Sequence, residues 1–191
     1  MPVNLVLPRD VNTSFKWPSF REGKISKEWT IKYLRRFLKE YMYTDAIIID
    51  KEDGNILFSV NYEQYIAKNF NSKEFETTEM RRVWKRVIET KKTHFSDMHT
   101  PTLYEDEPVM LIATPILKDN KIISVLMLKM PSTLVNTVLH YSGSSMQSSE
   151  TYAVGKDYLL RSDSSIEKDF TVKNSFMNVK KYMIKIERKN K

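Results

Sequence analysis

The chain has 191 residues, a formal net charge of +7, 41% hydrophobic and 12% aromatic residues, and no cysteine. That length buries a core without metal or disulfide staples, and the missing cysteine excludes disulfides, thiolate nucleophiles, Cys-ligated zinc and iron–sulfur clusters. The positive charge is local, concentrated in Lys168, Lys173, Lys180, Lys181, Lys185, Arg188, Lys189 and Lys191 and on one helical face at Arg81, Arg82, Lys85 and Arg86; no nucleic-acid motif accompanies it, so no nucleic-acid partner is expected.

Residues 1–24 hold Pro2, Pro8, Pro18 and Gly23 without a sustained period and read as an irregular lead-in. The polar start lacks a signal-peptide core, and no run approaches the ~20 apolar residues of a membrane span. The chain as written is therefore expected neither to cross a membrane nor to direct its own export. From Ser26, Trp29, Tyr33, Leu34, Phe37, Leu38 and Tyr41 recur at helical spacing, with Lys32, Arg35, Arg36 and Lys39 opposite, which predicts an amphipathic helix. Two short apolar runs, 46–49 and 56–60, flank an Asp-Gly-containing turn and predict a β-hairpin.

Residues 61–75 suggest a short helix and a loop. Met80, Val83, Trp84, Val87 and Ile88 form the apolar stripe of a second helix, ending near Lys91-Lys92. Thr93 to Met98, Val109 to Leu117 and Lys121 to Met130 predict three more strands, the last two joined at Asp119-Asn120. Together these make an α+β domain with a five-stranded antiparallel sheet. The last two strands are apolar almost throughout, so both sheet faces must be covered: helices are expected on one, and a lid of loops on the other with room for a small ligand beneath. Pro131 then opens a third helix that Gly143 ends, and a Ser-rich connector leads to a hairpin-like pair, Thr151 to Val154 and Tyr158 to Arg161, about Gly155.

Polar groups among the apolar strand positions are the candidate ligand contacts. Alternation puts Thr93, Phe95 and Asp97 on one face; Asp97 suits a ligand amine with Phe95 packed on it, or else caps the turn at the strand end. Lys129 shares its face with Ile123, Val125 and Met127 and suits a ligand carboxylate, or else snorkels to water. Tyr104 and Thr114 are further hydrogen-bonding candidates, with core or loop roles open to each. No catalytic set emerges. His94 and His99 project to opposite faces, which argues against a metal site, and the Asp50–Asn55 segment lacks the distal glutamate of a calcium loop. There is no nucleophile elbow, P-loop or dinucleotide fingerprint, and neither an enzymatic activity nor a cofactor is expected.

Several segments carry a resemblance beyond these patterns. Tyr43 and Asp45 precede Ile47-Ile48-Ile49-Asp50, followed by Gly54-Asn55-Ile56 and Phe58-Ser59-Val60; further on come Phe95-Ser96-Asp97, Glu107-Pro108, Ile112-Ala113-Thr114-Pro115, Val125-Leu126, Leu128, Pro131 and Asn136. The stretch from Glu150 through Tyr152, Gly155, Asp157 and Arg161 to Ser164 is the most specific. In this order they resemble the double-Cache, PAS-like sensor regions of bacterial chemoreceptors, histidine kinases and nucleotide cyclases, over about residues 41–176. The sequence departs from that pattern at Ile66 to Phe70, at Thr100-Pro101 and at Lys129, where the family has a glutamine.

The resemblance implies a lead-in (1–24), a sensor module with its N-terminal helix (25–142), the incomplete start of a second module (150–176) and a basic tail (177–191). It implies a ligand-binding region on the extracytoplasmic side of the inner membrane in an intact receptor, here an excised or shortened piece, with a small ligand of the amino-acid, organic-acid or amine class. It leaves room for a homodimer through the N-terminal helix. The alternative is a degenerate, non-sensing remnant serving as a protein- or nucleic-acid-interaction domain.

Overall fold

The computed structural model describes residues 27–100, 107–142 and 150–177. Helix α1 (Lys27–Glu40) leads into strands β1 (Asp45–Asp50) and β2 (Ile56–Ser59), two 3-10 turns (Glu63–Tyr65 and Lys73–Phe75), helix α2 (Glu79–Thr90), strands β3 (His94–Phe95), β4 (Val109–Lys118) and β5 (Lys121–Pro131), and helices α3 (Ser132–Ser142) and α4 (Val172–Met177). The strands form one antiparallel sheet in the order β2-β1-β5-β4-β3. The last-formed hairpin thus lies beside the first strand. Its near-continuous apolar sequence follows from that central place, which buries both faces.

The covering of the sheet differs from the expected split between helices and loops. Strand residues Ile47, Ile49, Val109, Leu111, Ala113, Val125 and Met127 form one buried cluster with Met80, Val83, Trp84 and Val87 of α2 and with Tyr65, Phe70 and Phe75 of the turn segments. Helix α2 and the loop layer therefore share this inner face. The outer face takes α1, whose Leu34, Phe37 and Leu38 pack on Ala46, Val60, Leu126 and Leu128. Physically, α1 and α2 each carry a single apolar stripe, so each needs its own half of a two-faced sheet. The loop layer, with Phe70 and Phe75 wholly buried, supplies hydrocarbon that α2 alone lacks.

Local chemistry fixes the connections. Helix α1 ends in a Schellman cap: Tyr43 N–H donates to the Leu38 carbonyl and Met42 N–H to that of Lys39, with Met42 left-handed at φ 57°. The β1–β2 turn is held by Asp50, whose carboxylate accepts from the Glu52 and Asp53 amides. Its Gly54 has φ +71° and lies against Trp84, so that a Cβ would sit 3.1 Å from the indole edge. At the β4–β5 turn Asp119 and Asn120 both have positive φ, 50° and 62°, the signature of a two-residue type I′ hairpin. Just beyond it Ile116 pairs with Ser124 and Leu117 with Ile122, leaving Ile123 without a cross-strand partner. This bulge slips the side-chain phase, so Ile123 is exposed and does not share the inner face with Val125, Met127 and Lys129.

Residues 150–177 add no strand to the sheet. Their hairpin-like closure holds through one bridge, Val154 with Leu160, and through Arg161 N–H to the Ala153 carbonyl. Leu160, Phe170 and Val172 pack against Met98, Met110 and Val135. Asn136 of α3 donates to the Asp163 carboxylate at 2.6 Å and accepts the Asp163 amide at 2.7 Å, which fastens the segment to the exit helix. The helix end expected at Gly143, most of the Ser-rich connector, the 1–24 lead-in and almost all of the basic tail lie outside the described residues.

Candidate functional site

The inner face is hydrocarbon from end to end except where β1 and β5 meet the loop layer. There Asp45 and Lys129 stand directly opposite each other in the β1–β5 register, with Leu111 on the other flank of Lys129. Neither residue is accessible to solvent. The Lys129 ammonium donates to the Tyr65 hydroxyl at 3.3 Å and lies 4.6 Å from the ring centroids of both Tyr62 and Tyr65. Two aromatic faces flank the cation at cation–π distance, an attraction that strengthens when water is excluded. Lys129 does not snorkel: it is fully buried, and its ammonium meets Tyr62 and Tyr65 instead of water.

Asp45 builds the wall that carries those tyrosines. Its carboxylate accepts the amides of Ala46 (2.8 Å), Val60 (3.0 Å) and Asn61 (3.1 Å) and the Ser59 hydroxyl (2.7 Å), and Ser59 Oγ in turn accepts the Tyr62 amide. Chain leaving β2 is thereby folded back over Lys129. Burial pushes the Asp45 carboxyl above the usual carboxylate range, against the opposing pull of Ser59, Asn61 and the Lys129 charge.

His99 completes the rim. It bridges to Val109 of β4, a strand position whose side chain is in the inner core. Its Nδ1 sits 3.1 Å from the Asp97 carbonyl, which fits donation to that oxygen. Burial holds the imidazole below its ordinary range, and the charges of Lys129 and Arg82 push the same way, against the Asp97 carbonyl and Glu79. The result is a buried cation between two phenols, with the Asp45 carboxylate opposite it in the register and an imidazole close enough to feel its charge. Such a constellation suits recognition of a small anionic group and offers no nucleophile–base pair.

The residues singled out from sequence do not converge. Among the described candidates, Lys129 alone is on the inner face. Thr114 alternates with Ala113 and so faces outward, where its hydroxyl is 2.9 Å from that of Thr93, while Phe95, paired with Ile112, is 56% exposed on the same outer side. Asp97 lies past the end of the two-residue β3 and is engaged by Arg161 through two short bonds, 2.8 and 2.7 Å. The Arg161 guanidinium holds the Asp97 carboxyl below the usual carboxylate range. Tyr104 lies outside the described residues. Periodicity gave no hint of Tyr62 and Tyr65, which sit in a short irregular segment. The signal that could have found them is the Asp45–Ser59 pairing of acid and hydroxyl across a hairpin, which requires a tight return just after residue 60.

No family model and no curated protein matches this chain. Solved structures do. The extracellular domain of vpHK1S-Z8, described as a histidine kinase, superposes with a TM-score of 0.54 at 14% identity, over 84% of this chain and 63% of that one. The ligand-binding domain of the Campylobacter jejuni chemoreceptor Tlp3, in complex with 4-methylisoleucine, gives 0.51 at 15% identity over 81% and 60%. A domain assigned to the sensory box/GGDEF family from Vibrio parahaemolyticus gives 0.50 at 13% identity over 84% and 66%. The chain shares the Cache/PAS-like α+β fold of these domains. It spans less than two thirds of the length of these three Cache-type structures. The five-stranded antiparallel sheet expected from the sequence agrees with that architecture. Among the described residues no helix is long and apolar enough to cross a membrane.

Proposed function

We propose that this Cache-type domain is the ligand-sensing module of a bacterial transmembrane signalling receptor, of chemotaxis or two-component type, and that it binds a small carboxylate-bearing molecule without catalysing a reaction. The observation that carries this reading is the fully buried Lys129 ammonium flanked by Tyr62 and Tyr65 beneath the loop layer. A charge in a hydrocarbon face is costly, and a ligand carboxylate drawn to it gains strength from the same low dielectric. Asp45, opposite Lys129 in the register, is its counter-charge, and His99, held below its ordinary range by burial, adds a hydrogen-bonding group. Within the ligand classes expected from sequence, organic acids and amino acids carry the carboxylate that the Lys129 ammonium would take. On this reading the domain works outside the inner membrane, residues 150–176 begin a second module, and the outer face of α1 is where two copies would pair.

Isothermal titration of the full chain against a panel of amino acids, organic acids and amines tests the assignment. Saturable binding of carboxylate-bearing compounds is expected, weakened roughly tenfold or more in Lys129→Met, since a charge-assisted hydrogen bond contributes about 1.5–3 kcal/mol. Binding confined to amines, or unaffected by Lys129→Met, overturns it.

A further inference from the structure

A cleft lies between the last turns of α1 and the chain that follows β2. It is an open cleft of about 560 Å3. Its helix side presents Arg35 and Lys39, one turn apart, above the buried Leu38. Like charges at this spacing repel one another, and no carboxylate lies among the described residues that line the cleft. The opposite wall is polar: Tyr43, Thr44, Asn61 and Tyr62. Asn61 donates one amide N–H to the Thr44 carbonyl at 2.7 Å, which fixes the carboxamide and leaves the group a second N–H. The C-terminal end of α1 works against an anion here by about half a charge, which the two full positive charges of Arg35 and Lys39 outweigh; its carbonyls at Phe37, Leu38 and Lys39 are turned to the amides of Tyr41, Tyr43 and Met42.

We propose that this cleft binds a small oxyanion, a carboxylate or phosphate group, between the Arg35 guanidinium and the Lys39 ammonium. The fork of Arg35 takes two oxygens in a plane, Lys39 supplies a second charge, and the Asn61 amide lies on the far side. Leu38 and Tyr43 give a short hydrocarbon portion of the ligand somewhere to rest. The site is distinct from the Lys129 cluster, and Tyr62 is the wall they share: it lines the cleft while its ring lies over the Lys129 ammonium.

The test is a titration of the 191-residue chain with inorganic phosphate and, separately, with malonate, at constant ionic strength in chloride. It is read by heteronuclear NMR at the Thr44 amide and the Asn61 side-chain amide. Saturable shifts at these groups are expected, with affinity about tenfold weaker in Arg35→Gln and in Lys39→Gln. The double variant Lys91→Gln/Lys92→Gln, which removes twice the charge of either single variant, but from the end of α2, keeps the unaltered affinity. A stronger response to malonate assigns a carboxylate ligand and a stronger response to phosphate a phosphoryl one. Shifts that do not saturate with either probe overturn the proposal. So does binding that survives unchanged in both Arg35→Gln and Lys39→Gln, or that weakens equally in the Lys91/Lys92 variant.

Discussion

At the scale of single residues, Asp45 does more than its position at a strand end suggests. Three backbone amides and one hydroxyl converge on its carboxylate. Asp45→Ala strands those donors in a buried place and is expected to cost about 3 kcal/mol in urea unfolding. Asp45→Asn keeps an oxygen for the amides and costs less. The two carboxyls also give opposite pH signatures. Because folding raises the Asp45 pKa, its contribution is complete below the ordinary aspartate value and is lost as pH rises through the raised one, so the gap between wild type and Asp45→Asn shifts in favour of Asn from about pH 4 upward. Because Arg161 lowers the Asp97 pKa, that contribution is present above the ordinary value and disappears as acid passes the lowered one. Lys129 was legible as a cation in an apolar run. Its partners were not: Tyr65 lies 64 positions away in sequence, and an aromatic residue in an irregular segment has no period to betray it.

At the scale of elements, the stops and turns are where substitution tests the physics most cleanly. Met42 occupies the left-handed position of the α1 cap and is 42% exposed, so Met42→Gly relieves backbone strain while giving up little packing. A gain of about 0.5–1 kcal/mol is expected by thermal or chemical denaturation. Gly155 shows the reverse constraint. A Cβ there would stand 2.2 Å from the Arg161 guanidinium, which Asp97 and Asp157 hold in place. Gly155→Ala is therefore expected to displace Arg161 and raise hydrogen exchange across 150–177. Helices α1, α2 and α3, the turn at Asp119-Asn120 and the Asp-Gly turn were readable because each is written in a local period or in turn residues. The bulge at Ile123 was not, since no residue there demands it; the slip is set by how β4 and β5 pair on either side.

For the molecule as a whole, the question is how residues 150–177 are joined to the sheet. Three polar clamps do it, Asn136 with Asp163, Asp97 with Arg161 and Glu107 with Lys173, around the apolar contact of Leu160 and Phe170 with Met98 and Met110. Arg161→Met removes one clamp without touching the sheet. Limited proteolysis should then cut within 150–177 several-fold faster while β1, β4 and β5 keep their hydrogen-exchange protection. Loss of protection throughout would mean that the two parts fold as one unit. The sequence alone determined helices α1 to α3, the five strands, the antiparallel sheet and the kind of fold, because hydrophobic period, turn chemistry and segment order are local quantities repeated along the chain; α4, a single short helix in 150–177, was not read. Only the tertiary structure decided that α2 and the loop layer share a face while α1 takes the other, that Asp97 is engaged by Arg161, and that Lys129 meets two tyrosines. Those facts depend on which distant surfaces come together, and a side chain's partner across a sheet is fixed by packing and register rather than by its neighbours in the chain.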